Sequence, residues 1–176
     1  MTKRAVLVSG SPAESSHSGR VLAAFGARLE ARGFTLESYS VRSFGLEDLI
    51  YGRAESETVQ RFLGSVQGAN AVVFSTPVYK ATYAGALKLM IDLIAPTALE
   101  GKTLLAITTA RLEPHLSQVD ESFQRLYGFF RGSIGLSSLG LSDEQLGVDE
   151  AGSLILDSPA RFALEQALER LTGALQ

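Results

Sequence analysis

The chain has 176 residues, 45% of them hydrophobic and 20% charged, with a formal net charge of −3 and no cysteine. That length suits one domain with its own core, so residues 1–176 are expected to fold as a unit without a disulfide or thiolate metal staple. The balance offers no basic field for nucleic acid, no apolar stretch reaches the ~20 residues of a membrane span, and the apolar segment behind Lys3-Arg4 is too short for a signal peptide, so we expect a cytoplasmic protein bound neither to nucleic acid nor to membrane.

Short apolar runs alternate with amphipathic stretches along the chain. Ala5 to Ser9 reads as a buried strand, and Arg20 to Arg32 as a helix presenting Val21, Leu22, Phe25 and Leu29 on one face. Gly33 fits a helix stop, and Phe34 to Val41 a second strand. Arg42 to Glu55 is a longer connection, followed by a helix over Ser56 to Val66 with Ser56 as its cap. Asn70 to Thr76 is the clearest strand, and Tyr83 to Ile94 the next helix. Thr103 to Thr108 is a fourth strand, Pro114 to Arg131 a helix, and Gly132 to Leu141 a weaker fifth strand. Ser158 to Leu175 closes the chain as a helix, with Ser158 as cap and Pro159 at its first position.

Uninterrupted apolar strands joined by helices predict an α/β fold with a parallel sheet covered on both faces. Ligands of such doubly wound sheets sit beyond the carboxyl ends of the strands. That edge would gather Gly10 to Ser18, Pro77 to Gly85 and Thr109 to His115.

The first of these segments reads GSPAESSHS. It lies between a strand and a helix, where free N–H groups and a partial positive charge favour an anion. Ser11, Ser15, Ser16 and Ser18 add hydroxyls, and His17 can add charge. The segment lacks a P-loop lysine and the three-glycine dinucleotide spacing, so a monophosphate suits it better than a triphosphate. A serine-rich turn with Ser18 capping the helix accounts for the same residues without a ligand. In the second segment, STPVYKATYAGALK, a planar ring could rest on the Pro77-Val78-Tyr79 backbone; equally, Tyr79 and Tyr83 could pack at a subunit contact.

Taken together, the GSP loop, Glu47-Asp48-Leu49-Ile50-Tyr51, TPVYKATYAGALK, Leu99-Glu100-Gly101-Lys102 and Pro114-His115-Leu116 resemble the NADPH-dependent FMN reductases of the flavodoxin-like fold. The chain is similar, more narrowly, to the FMN reductases of alkanesulfonate utilisation systems. The resemblance implies a flavodoxin-like doubly wound five-stranded parallel sheet with helices on both faces. It implies FMN as flavin and NADPH or NADH as hydride donor. It places the FMN phosphate at Ser11, Ser16, His17 and Ser18, and the ring at Pro77, Val78, Tyr79 and Lys80. Thr109, Ala110 and Arg111 would complete the flavin site. It further implies a homodimer or homotetramer, with Tyr83 to Asp92 near the contact, and delivery of reduced flavin to a separate flavin-dependent monooxygenase.

The chain departs from this pattern at three places. Ala13 stands where the family often carries an arginine, with Arg20 as a substitute cation. Ala110-Arg111 replaces a Gly-Gly pair, so Arg111 could meet charge on the reduced ring, reach the NADPH 2′-phosphate, or obstruct the stack. The fourth-helix stretch Val119-Asp120-Glu121-Ser122 carries no tyrosine. Hydride chemistry belongs to the cofactor, so no catalytic acid, base or nucleophile and no metal is expected. A quinone or azo reductase that retains FMN, and a non-catalytic relative with a blocked flavin site, are the other two readings.

Overall fold

The computed structural model describes residues 2–175. Strand β1 (Arg4–Ser9) leads into helix α1 (His17–Ala31), then β2 (Thr35–Ser40) and the short helix α2 (Leu46–Ile50). Helix α3 (Glu57–Gly68) precedes β3 (Ala71–Tyr79), β4 (Thr82–Tyr83) and α4 (Gly85–Asp92). Next come β5 (Thr103–Ala110), α5 (Pro114–Phe129), β6 (Ile134–Gly135) and β7 (Leu139–Ser142). A hairpin of β8 (Leu146–Val148) and β9 (Leu154–Leu156) leads to α6 (Ser158–Gly173).

The main sheet runs β2-β1-β3-β5, with β6 and β7 both parallel to β5 at the fifth position. This is the flavodoxin-like strand order, with the switch in direction between β1 and β3. Period-two alternation sorts the buried side chains to two faces. Val6, Val8, Val72 and Phe74 pack under α3, α4 and α5, whereas Ala5, Leu7, Val73, Leu105 and Ile107 pack under α1 and α6. Each fully buried leucine or phenylalanine in these layers stabilises the fold by roughly 1.5–3 kcal/mol. Together the two layers fix the carboxyl edge of the sheet, where the loops after β1, β3 and β5 converge.

Several local expectations are corrected. The fifth strand is broken at Leu136-Ser137-Ser138, because α5 takes its ladder groups: Ser138 N donates to Asp120 Oδ1 at 2.8 Å, and Gln124 Nε2 donates to the Leu136 carbonyl at 3.2 Å. Helix α1 starts three residues earlier than its apolar face suggests, with Ser16 rather than Ser18 as cap; Ser16 Oγ accepts from Gly19 N at 3.1 Å. The cap of α6 is Asp157, whose Oδ1 accepts from Ala160 N at 2.7 Å, so Ser158 lies inside the helix. Ser56 does precede α3, but its hydroxyl donates to Asp48 Oδ2 at 2.7 Å instead of serving as a side-chain cap. Helix α4 begins at Gly85, because Tyr83 belongs to β4 and Ala84 N donates to Thr76 Oγ1 at 2.9 Å. Strand β5 runs through Thr109 and Ala110, which pair with Leu141 and Ser142. Gly33, at φ +84°, ends α1 as expected.

Candidate functional site

The loop from Gly10 to Ser16 is anchored at both ends. Gly10 N donates to the Ser75 carbonyl at 2.8 Å, and Ser75 Oγ donates to the Ser18 carbonyl at 2.8 Å. Ser11 and Ser18 are buried; Ser11 Oγ accepts from Ala13 N at 3.3 Å, and Ser18 Oγ lies 3.4 Å from Ser16 Oγ. Among the described residues, the backbone N–H groups of Ser11 and of Glu14 through Ser18 meet no protein acceptor. Unpartnered amides at the start of a helix, beside three hydroxyls, suit a compact anion. This donor set fits a phosphate ester such as that of FMN.

Charge reaches the loop from two distant segments. His17 Nδ1 lies 3.1 Å from Asp143 Oδ1, just beyond β7, so its imidazole is engaged by a carboxylate. Arg42, in the turn after β2, donates from Nη1 to the Pro12 carbonyl at 3.1 Å. Arg20 lies a turn into α1 and makes no side-chain hydrogen bond or ion pair among the described residues.

The second segment is a tight hairpin. Val78 pairs with Tyr83 and Tyr79 with Thr82, leaving Lys80 and Ala81 as a two-residue loop at φ 52° and 64°. Both values lie in the left-handed region, which identifies a type I′ turn made without glycine or asparagine. Such strain persists only where the surroundings hold it, and it gathers at functional sites. Thr76 Oγ1 supplies part of that hold by accepting from Ala84 N and donating to the Pro77 carbonyl at 2.8 Å. Pro77 and Val78 are half-buried, and Tyr79 is half exposed at the turn. Tyr83 has a different setting: its ring packs on Phe123 of α5, with centroids 5.1 Å apart.

Register places the third segment beside the second, since Pro77 pairs with Thr109. Thr109 and Ala110 are buried ladder residues, so Arg111 is the first residue to leave the sheet, and it is exposed. The buried Thr108 hydroxyl has no partner among the described residues. The structure therefore brings Ser11, Ser16, His17 and Ser18 to one loop of the carboxyl edge, and Pro77, Val78, Tyr79, Lys80 and Arg111 to the neighbouring turns. Sequence reasoning missed Asp143 and Arg42, whose links to the loop span 126 and 30 residues. A cleft of about 380 Å³ lies apart from this edge, lined by Ile91, Ile94, Leu126 and Phe129. Among the described residues no group of three metal-ligating side chains could hold an ion, and no helix is long and apolar enough to cross a membrane.

Comparison with known proteins identifies the family. A family model described as NADPH-dependent FMN reductase matches residues 3–141. An FMN reductase (NADPH) of Pseudomonas putida is 35% identical over 97% of this chain and 84% of its own length. An FMN reductase (NADPH) of Escherichia coli is 33% identical over 81% of this chain and 75% of its own. Among solved structures, the apo form of the NADH:FMN oxidoreductase EmoB superposes with a TM-score of 0.89 at 21% identity, covering 99% of this chain and 91% of that one.

Proposed function

Because this chain belongs to the NADPH-dependent FMN reductase family, we propose that it reduces FMN at the expense of NADPH or NADH, with the phosphate held by the loop after β1. It is an NAD(P)H:FMN oxidoreductase, with FMN and NADPH or NADH as its cofactors. The run of unpartnered amides from Glu14 to Ser18 carries the site assignment. Ser11, Ser16, His17 and Ser18 hold the phosphate, and the Pro77-Val78-Tyr79-Lys80 turn carries the ring. Thr109 and Ala110 form the floor beside that turn, from which Arg111 projects.

Bound FMN supplies the two-electron acceptor for hydride from the reduced nicotinamide. The chain's own tasks are binding, orientation and exclusion of water. Tyr79 offers a half-exposed aromatic face at the turn, and the strained Lys80-Ala81 loop fixes its direction. Arg111, solvent-exposed beside the mouth, is placed to pair with the 2′-phosphate that distinguishes NADPH from NADH. Its planar fork suits a phosphate better than a point charge does.

Reduced FMN passes to a flavin-dependent monooxygenase in this reading, following the resemblance to alkanesulfonate-system reductases. The chain acts as a homodimer or homotetramer through α4 and α5, where the exposed Phe129 borders an apolar cleft. The decisive assay adds FMN to purified protein and NADPH. Colourless protein that oxidises NADPH only with added flavin identifies FMN as a substrate. Yellow protein identifies a retained prosthetic group. Oxidation of neither NADPH nor NADH, with or without added FMN, would contradict the proposal. Replacing Ser16 and Ser18 together with alanine should weaken FMN more than riboflavin, which lacks the phosphate, since each lost hydrogen bond is worth on the order of 1–3 kcal/mol.

A further inference from the structure

We propose that Arg42 is a phosphate ligand of this chain, supplying from the end of β2 the cation that the loop after β1 lacks. The inference rests on the reading that FMN phosphate sits at this loop. Three observations carry it. First, the loop from Gly10 to Ser16 contains no lysine or arginine, and its one charged side chain is Glu14. The nearest basic group in sequence, His17, faces the carboxylate of Asp143 at 3.1 Å. A dianion would thus enter a seat rich in N–H dipoles but poor in formal positive charge.

Second, the Arg42 guanidinium already lies on that loop. Its Nη1 donates to the Pro12 carbonyl at 3.1 Å, and among the described residues it forms no ion pair. A guanidinium has five N–H donors, and one engaged with a carbonyl leaves the rest of the fork for an anion. Third, its backbone is fixed rather than loose. Arg42 sits in a 3-10 turn over Val41–Ser43 and its own N–H donates to Ser40 Oγ at 3.2 Å. Ser40 in turn pairs with Ser9, the last residue of β1, so the turn and the loop leave neighbouring strands at the same level. A side chain held at this point can clamp the far side of a phosphate whose near side meets the α1 amides.

The test measures binding rather than turnover. FMN and riboflavin are titrated separately, by quenching of flavin fluorescence, into wild-type protein, Arg42→Ala and Arg42→Lys. The proposal expects wild type to prefer FMN. It expects Arg42→Ala to weaken FMN by about tenfold or more while riboflavin affinity stays within about twofold, the size of a lost charge-assisted contact. Arg42→Lys should recover part of the loss, and the FMN affinity of Arg42→Ala should fall less with added salt. An Arg42→Ala variant that keeps the wild-type preference for FMN overturns the role of Arg42 and leaves the phosphate seat standing. Equal weakening of both flavins overturns it too, as an effect on the fold. Wild type without preference for FMN overturns the phosphate seat itself.

Discussion

Gly10 and Leu87 stand in backbone-to-side-chain contact: a β-carbon added at Gly10 would lie 2.3 Å from Leu87 Cβ and 2.9 Å from its Cα. The loop after β1 is thereby pressed onto α4, the helix that follows the Tyr79 turn. The proposed phosphate seat and ring platform are therefore parts of one packed unit. Gly10→Ala must push the loop off the buried Leu87, and overpacking of this kind costs about 1–3 kcal/mol. Urea denaturation should show a lower midpoint with an unchanged slope. A wild-type midpoint would mean that the contact is not tight in solution.

The Lys80-Ala81 turn makes a second prediction. Ala81 at φ 64° pays for a left-handed conformation that glycine adopts freely. Ala81→Gly should raise stability by roughly 0.5–1 kcal/mol, and Ala81→Val should lower it, because β-branched residues resist this region most. Thermal melts of the two variants would settle the sign. Destabilisation by glycine would contradict the turn geometry.

Glu37 on the edge strand gives a pH signature. A hydrogen bond from Ser65 Oγ at 2.6 Å, then one from Arg4 at 2.7 Å, hold its carboxyl below the ordinary carboxylate range. Its folded pKa is thus depressed, so the stabilisation is present above the unfolded carboxyl pKa of about 4.3 and fades as pH falls through the folded value. Wild type should lose stability more steeply than Glu37→Gln as the solution is acidified below about pH 5. Parallel acid limbs for the two proteins would remove Glu37 from the account.

Arg111 should govern nucleotide choice. Arg111→Ala is expected to raise the KM for NADPH by about tenfold and leave that for NADH nearly unchanged, the size of one lost contact to a phosphate. An equal change for both nucleotides would point instead to a general role at the mouth.

The sequence is most legible where burial is continuous. The runs Ala5-Val6-Leu7-Val8, Ala71-Val72-Val73-Phe74 and Thr103 to Thr108 all form strands of the central sheet, and three of the five segments that carry the family resemblance lie at or after their carboxyl ends. Elements too short to show a period were not legible. The β8–β9 hairpin has three residues per strand, and the Lys80-Ala81 turn lacks the glycine or asparagine that usually marks its type. Choosing Ser16 over Ser18 as cap turns on which hydroxyl meets a free amide, and composition leaves both available. His17–Asp143 and Arg42–Pro12 are tertiary contacts between segments whose local patterns predict neither.

A crystal structure of the protein with FMN is the sharpest check on this site. The phosphate should sit on the amides of Glu14 to Ser18, with the tricyclic ring across Pro77-Val78-Tyr79. A flavin bound with its phosphate away from this loop, or a crevice closed by the protein's own side chains, would contradict it.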